Sequence, residues 1–198
     1  MSKPVMELYL VRHTTADIAP GICYGQSDIG VKHTFEEEVT ALRPKIAHIE
    51  AASFHSSPLQ RCLLLAQAVA GTKHEIQQDA RLKELNFGDW ELQSWDDIPR
   101  GLLDEWADEH VKLAPPNGES FHDLSQRAQA FVEQLANQGA GVHVAFTHAG
   151  VIRALTGFAL GLPLSNVFRL HIDYASVTKL IIDLDRDRPL MRVGFVNR

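Results

Sequence analysis

Three times along this chain a short apolar segment stops at a polar or small-residue turn near a stretch of helical periodicity, and that recurrence constrains the fold most. Met6 to Val11 is a near-continuous apolar run broken at Arg12-His13, while Val142 to Phe146 ends at Thr147-His148-Ala149-Gly150 and passes into Val151 to Leu160. Between them Ala52 to His55 reads as a short strand, with Pro58 as an early helical residue ahead of Leu59 to Ala70. Apolar runs of this length suit strands buried on both faces, and strands alternating with helices build a largely parallel sheet covered by helices. The expectation is a three-layer α/β/α sandwich forming a single domain over 1–198. A chain of 198 residues with 45% hydrophobic content furnishes one core and little room for a second.

The remaining segments fit that plan. Thr34 opens a helix with Glu36, Glu37 and Glu38 in its first turns, where negative side chains suit the positive helix end, and Pro44 should kink or restart it. Leu85 to Trp106 is Trp-rich and reads as irregular. A Pro115-Pro116-Asn117-Gly118 turn precedes a long helix capped by Ser120 with Asp123 three residues on. Ser176 to Asp183 and Leu190 to Val196 read as two further strands joined by a charged turn, Asp185 to Arg188. No internal repeat, low-complexity tract or linker interrupts the chain.

Composition narrows the partners. A formal charge of −6 repels polyanions unless basic residues gather locally, so nucleic acid is not expected, whereas a small phosphate ester in a cationic pocket is compatible. Cys23 and Cys62 lack metal-site spacing and form no disulfide framework, which fits a reducing cytosol. The first eleven residues lack the length and cleavage pattern of a signal peptide, and no segment approaches the roughly 20 apolar residues of a membrane span. Asp183 to Asp187 imitates the start of a calcium loop, but Arg188 takes the Gly position and Gly194 that of the final Glu. No His pair has the spacing of a zinc helix. Neither a metal nor an organic cofactor is expected, and Trp90, Trp95 and Trp106 read as core or pocket wall.

In parallel α/β sheets, ligands bind beyond the carboxyl ends of the strands. Arg12-His13, Ser56-Ser57 with Arg61 close behind, and Thr147-His148 each follow an expected strand, so three distant segments point to one place. From its surroundings alone Arg61 reads as an Arg with its head at the surface, and Glu84, beside Arg81 and Lys83, as part of a solvated charge cluster. His148 stands before Ala149-Gly150 at a helix N-terminus, where small residues and free N–H groups admit an anion. Two His, two Arg and a Glu together suit phosphate. Guanidinium forks match its oxygens, and imidazole is a nucleophile near neutral pH.

Leu10-Val11-Arg12-His13, Ser57-Pro58-Leu59-Gln60-Arg61, Leu82-Lys83-Glu84-Leu85-Asn86-Phe87-Gly88-Asp89-Trp90-Glu91 and Thr147-His148-Ala149-Gly150 occur in this order. The combination resembles the histidine phosphatase, or phosphoglycerate mutase-like, superfamily, over about Val5 to Asp183. The resemblance implies a phosphomonoesterase with His13 as the phosphorylated nucleophile and Arg12 and Arg61 as phosphate holders. It implies Glu84 as acid and base, with His148 completing the catalytic phosphate pocket. Gly21-Ile22-Cys23-Tyr24-Gly25-Gln26-Ser27-Asp28 and Pro115-Pro116-Asn117-Gly118-Glu119-Ser120 resemble the α-ribazole phosphatases. That likeness implies α-ribazole 5′-phosphate, or its cobalamin-linked form, as substrate, with Cys23, Tyr24 and Gly25 as substrate-loop candidates.

The chain departs from the pattern at Thr14, Thr15 and Ala16, where many members have Gly-Glu-Thr, and at Ala19, where an Asn contacts phosphate. Ser or Thr hydroxyls or backbone N–H groups would have to replace that Asn. The chain is too short for the long insertion of phosphoglycerate mutases, which favours transfer to water. The rivals are a broad sugar or nucleotide phosphatase, a phosphoglycerate-type mutase with the same His13 chemistry, and a non-catalytic phospho-ligand binding module.

Overall fold

The computed structural model describes residues 4–51, 53–185 and 190–198. These form β1 (Val5–Arg12), β2 (Ser53–Ser56), β3 (Ile76–Gln78), β4 (Gly141–Thr147), β5 (Val177–Asp183) and β6 (Leu190–Phe195), in the order β3-β2-β4-β1-β5-β6. β1 pairs parallel with β4, and β2 parallel with both β3 and β4, while β5 runs antiparallel to β1 and β6. The sheet is therefore largely parallel, with β5 as the reversed strand.

Alternation along β1 builds the layers. Met6, Leu8 and Leu10 enter one core with Leu124 and Phe131 of α4 (Phe121–Gln138) and Ile152 and Leu155 of α5 (Ala149–Leu160). Tyr9 and Val11 enter the other, with Leu42 of α1 (Phe35–Ile46) and Leu65 of α2 (Gln60–Ala70). Each face of the sheet is thus covered by helices, and truncating a Leu or Phe in such layers typically costs about 2–5 kcal/mol.

Local chemistry sets the helix ends. Ser120 Oγ accepts from the Asp123 N–H while the Asp123 carboxylate accepts from the Ser120 N–H, a reciprocal box that starts α4. At α1 the Thr34 hydroxyl bonds the Glu38 carboxylate and makes no cap. Pro44 does not restart that helix, which runs through it unbroken. It lies in the last turn, where its missing N–H costs the helix one bond, to the Thr40 carbonyl, and α1 closes two residues later.

Several expected boundaries shift. Pro58 precedes the Leu59 cap, so α2 begins only at Gln60. The region expected to be irregular, Leu85 to Trp106, runs into α3 (Arg100–Glu109), which buries none of its residues fully and is polar overall. Upstream of it Trp90, Trp95, Phe87 and Ile98 pack with Trp106 around Cys23, giving this irregular backbone its own aromatic core. The tryptophans are core, as read. Ala52 and residues 186–188 of the charged turn lie outside the described residues.

A buried histidine pair went unread. Ser53 Oγ lies 2.6 Å from His55 Nε2 and 2.7 Å from His143 Nδ1, bridging β2 and β4. Burial, and then the proximity of His143, pulls His55 down to about 4, and burial also lowers His143. Unfolding lets both rings take up protons near their reference value of about 6.5, whereas in the folded state His55 refuses its proton until about pH 4. Stability should therefore be lost as pH falls through this window. Chemical denaturation between pH 7 and 4 should show that slope, shallower in His55→Gln. An unchanged slope would remove His55 from the cause.

Candidate active site

The ends of three parallel strands assemble the site. The His13 N–H donates to the Thr147 carbonyl at 3.0 Å and the Ser57 N–H to the Phe146 carbonyl at 2.9 Å, so β1, β4 and β2 end side by side. Arg12, His13, Ser57 and His148 thereby meet at their carboxyl ends, and α2 brings Arg61 to the same place.

His13 is only 2% exposed. Its Nδ1 lies 2.6 Å from the Thr14 carbonyl, which can only accept, so Nδ1 carries the proton and Nε2 the lone pair. Burial, then the Arg61 and Arg12 charges, hold its pKa well below the usual histidine value, so the ring is neutral at pH 7. His148 meets it edge-on, with ring centres 5.0 Å apart, and its Nε2 lies 2.9 Å from Ser57 Oγ. It too is held neutral by burial and then by Arg61.

Arg61 is fully buried, against the surface position that its apolar surroundings suggested. Its Nη atoms donate to the Ser27 and Gly25 carbonyls, which seat the charged head inside rather than in water. Those carbonyls are held by Glu91, whose carboxylate accepts from the Gln26, Ser27 and Phe87 N–H groups and the Ser27 hydroxyl. Burial opposes ionisation of Glu91, but these bonds keep its pKa below the usual range. Gly25 is required sterically, since a Cβ there would lie 1.8 Å from the Leu85 carbonyl oxygen. Arg12 donates to the Ile172 carbonyl and lies 3.7 Å from the centre of the Tyr174 ring. Among the described residues, Nε of both arginines and Oγ1 of Thr14 are buried without a partner.

Glu84 is not part of a loose charge cluster. Its two carboxylate oxygens accept from the Leu85 N–H at 2.9 Å and the Gly150 N–H at 3.1 Å. The α5 N-terminus thus engages Glu84, where the sequence suggested that its N–H groups face an anion. A Cβ on Gly150 would lie 2.1 Å from Glu84 Oε1, so the glycine is what lets the carboxylate approach. Arg127 of α4 holds the segment from behind by donating to the Arg81, Lys83 and Glu84 carbonyls.

Arg12, His13, Tyr24, Arg61, Glu84 and Arg153 line a cavity of about 180 Å³, with Phe87, Phe121 and Phe168 as an aromatic wall. Three guanidiniums face one carboxylate there, a cationic enclave in a chain of net charge −6. Sequence reading missed Arg153; its signal is the position three residues after Gly150, on the same helix face. Of the three loop candidates, Tyr24 lines the cavity and Gly25 holds Arg61. Cys23 faces the core instead: it is fully buried against Trp90 and Ile98, with its thiol pushed up to about 12 chiefly by burial. Cys62 is buried packing, as read, and donates to the Thr147 carbonyl. Among the described residues, no three His, Cys, Asp or Glu side chains gather as metal ligands. A larger cavity of about 440 Å³ between α1, α2 and β2 is mostly apolar and brings no comparable set together.

Comparison with known proteins identifies the family. Residues 8–193 match the model of the histidine phosphatase superfamily (branch 1). A glucosyl-3-phosphoglycerate phosphatase of Mycolicibacterium vanbaalenii is 30% identical over 175 residues, covering 82% of this chain and 77% of that protein. An adenosylcobalamin/alpha-ribazole phosphatase of Escherichia coli is 25% identical over 195 residues, covering 95% of each. The solved structure of a mycobacterial glucosyl-3-phosphoglycerate phosphatase with inorganic phosphate has a TM-score of 0.83 at 26% identity, covering 98% of this chain and 97% of that one. Fold, site and relatives define a phosphoric monoester hydrolase of the α/β class. The chain belongs to branch 1 of the histidine phosphatase superfamily.

Proposed function

We propose that the protein hydrolyses phosphate monoesters through a phosphohistidine at His13. The observation that carries this is the locked tautomer: Nδ1 is tied to the Thr14 carbonyl, leaving a neutral Nε2 near the buried Arg61 and the half-buried Arg12, whose Nε donors are both buried and free. Arg12 and Arg61 hold the non-bridging oxygens, and His148 completes the phosphate pocket. Nε2 forms the bond to phosphorus as the bond to the alcohol oxygen breaks, and Glu84 gives that oxygen a proton. Glu84 then takes a proton from water, whose oxygen attacks phosphorus and frees His13.

For the alcohol, the loop likeness and the E. coli relative support α-ribazole 5′-phosphate or its cobalamin-linked form. The aromatic wall offers faces for a flat heterocycle. One observation favours a second reading. Arg153 puts a third guanidinium into the cavity, which suits an alcohol bearing its own anion, as in a phosphoglycerate. The free, buried Cys23 and Cys62 support a cytoplasmic setting.

The test is a panel of α-ribazole 5′-phosphate, phosphoglycerates and simple nucleotides, assayed for free phosphate in excess EDTA. Phosphate should pass to water, with α-ribazole 5′-phosphate preferred by about tenfold or more in kcat/KM, equivalent to about 1.4 kcal/mol. A preference for phosphoglycerate selects the second reading, and transfer to an acceptor without release selects a mutase. Binding without turnover overturns the enzyme. Because charge neutralisation falls to arginines, EDTA should not inhibit; loss restored by Mg²⁺ or Zn²⁺ would overturn that assignment.

A further inference from the structure

Ala19, where the family pattern has a phosphate-contacting Asn, is exposed and does not line the cavity. Thr14 is buried with an unpartnered hydroxyl, but it does not line the cavity either. Tyr24 does. Its hydroxyl lies 3.1 Å from that of Tyr174, and the two rings reach from one arginine to the other. The Arg61 guanidinium carbon is 5.4 Å from the Tyr24 ring centre, and that of Arg12 is 3.7 Å from the Tyr174 ring centre. The Tyr174 ring centre is 5.5 Å from that of His13. The phenol pair thus spans the nucleophile and both phosphate-holding arginines.

Both tyrosines stand on pinned backbone. The Ala175 N–H donates to the His13 carbonyl and the Arg12 N–H to the Ser176 carbonyl, fixing Tyr174 against the end of β1. Cys23 exchanges backbone bonds with Leu92 and Gln93, fixing the loop that carries Tyr24.

We propose that the Tyr24 hydroxyl, oriented by Tyr174, donates a hydrogen bond to a non-bridging oxygen of the phosphoryl group held between Arg12 and Arg61, in place of the missing Asn amide. This rests on the reading of His13 as phosphoryl acceptor. Two hydroxyls in contact use one proton between them; when Tyr174 donates to Tyr24 Oη, the Tyr24 proton is left to point into the cavity. Burial raises the Tyr24 pKa, so the group stays a neutral donor and does not become a phenolate that would repel phosphate. The Arg12 charge on the Tyr174 ring face holds that ring in place. Tyr24 is then a binding residue and Tyr174 a positioning residue.

Tyr24→Phe, Tyr174→Phe and the double variant keep both rings and remove only hydroxyls. Competitive inhibition by vanadate and by inorganic phosphate, and kcat/KM on an alkyl and an aryl phosphate, should be measured for each. Tyr24→Phe should weaken vanadate inhibition by about tenfold or more, the range for a hydrogen bond to a charged group, and lower kcat/KM similarly on both esters. Tyr174→Phe should lose less, about threefold, and the double variant should be no worse than Tyr24→Phe, because the second hydroxyl acts through the first. Vanadate inhibition within about twofold of wild type in Tyr24→Phe overturns the donor role, and additive losses in the double variant overturn the positioning role. If the wild type also traps no phosphate on His13, the phosphatase reading fails too. If it does trap phosphate, only the proposal for the tyrosines fails.

Discussion

Mixing the enzyme with substrate and quenching within milliseconds into alkali should trap one phosphate per chain, stable to base, labile to acid and mapping to His13. A phosphoramidate has those stabilities, and covalent catalysis by imidazole must pass through it. The carbonyl of Thr14 fixes the reactive nitrogen as Nε2, so the bond should form there. Because burial and two arginines depress the His13 pKa, the burst should persist below the reference value of about 6.5 and not fade as an exposed imidazole would. His13→Ala should abolish the label and cut turnover by about 10⁴-fold or more, the scale seen when a nucleophile is removed. His148→Ala should lower turnover without relocating the label. A label on Ser56, Ser57 or Cys23, or full activity in His13→Ala, would overturn the mechanism.

The sheet was legible because its central strands are largely buried on both faces, so β1 and β4 read as near-continuous apolar runs, broken only by Glu7 and His143, that stop where the backbone leaves the sheet. α4 was legible from its capping box. β3 was missed because three residues, Ile76–Gln78, with one half-buried side chain carry no periodicity. α3 was missed for another reason: it buries no residue fully and is polar overall, so its few apolar positions do not stand out in a Trp-rich stretch.

The site was legible as strand ends, and less so as environments. An Arg in an apolar helix reads the same whether its head reaches water or, as for Arg61, turns inward onto two carbonyls. Its partners, Gly25 and Ser27, lie more than thirty residues away, so no local pattern reveals them. Cys23 and Tyr24 are adjacent, yet one faces the aromatic core and the other the cavity; that alternation depends on how the loop pairs with Leu92 and Gln93. Arg153 needed Gly150 to be placed first.

Glu84→Gln should separate proton transfer from phosphate binding. The change preserves size, but not the hydrogen-bond pattern. Both carboxylate oxygens accept from backbone N–H groups, of Leu85 and Gly150, and an amide must turn its NH₂ toward one of those donors. That mismatch costs about 1–3 kcal/mol locally, and it affects every substrate alike. What differs between substrates is the proton. An alkyl ester expels an alkoxide that needs protonation as it leaves, so its phosphorylation step should slow by about 10²–10⁴-fold, whereas an activated aryl phosphate needs no such help. Steady-state rates blur this contrast, because Glu84 also activates the water that hydrolyses the phosphoenzyme whichever ester formed it. The decisive measurement is therefore the pre-steady-state burst. In Glu84→Gln the aryl burst should remain within about tenfold of wild type, followed by slow turnover and accumulation of label on His13, while the alkyl burst should nearly vanish. Equal slowing of both bursts would deny Glu84 the acid role and leave it a structural anchor between Leu85 and Gly150.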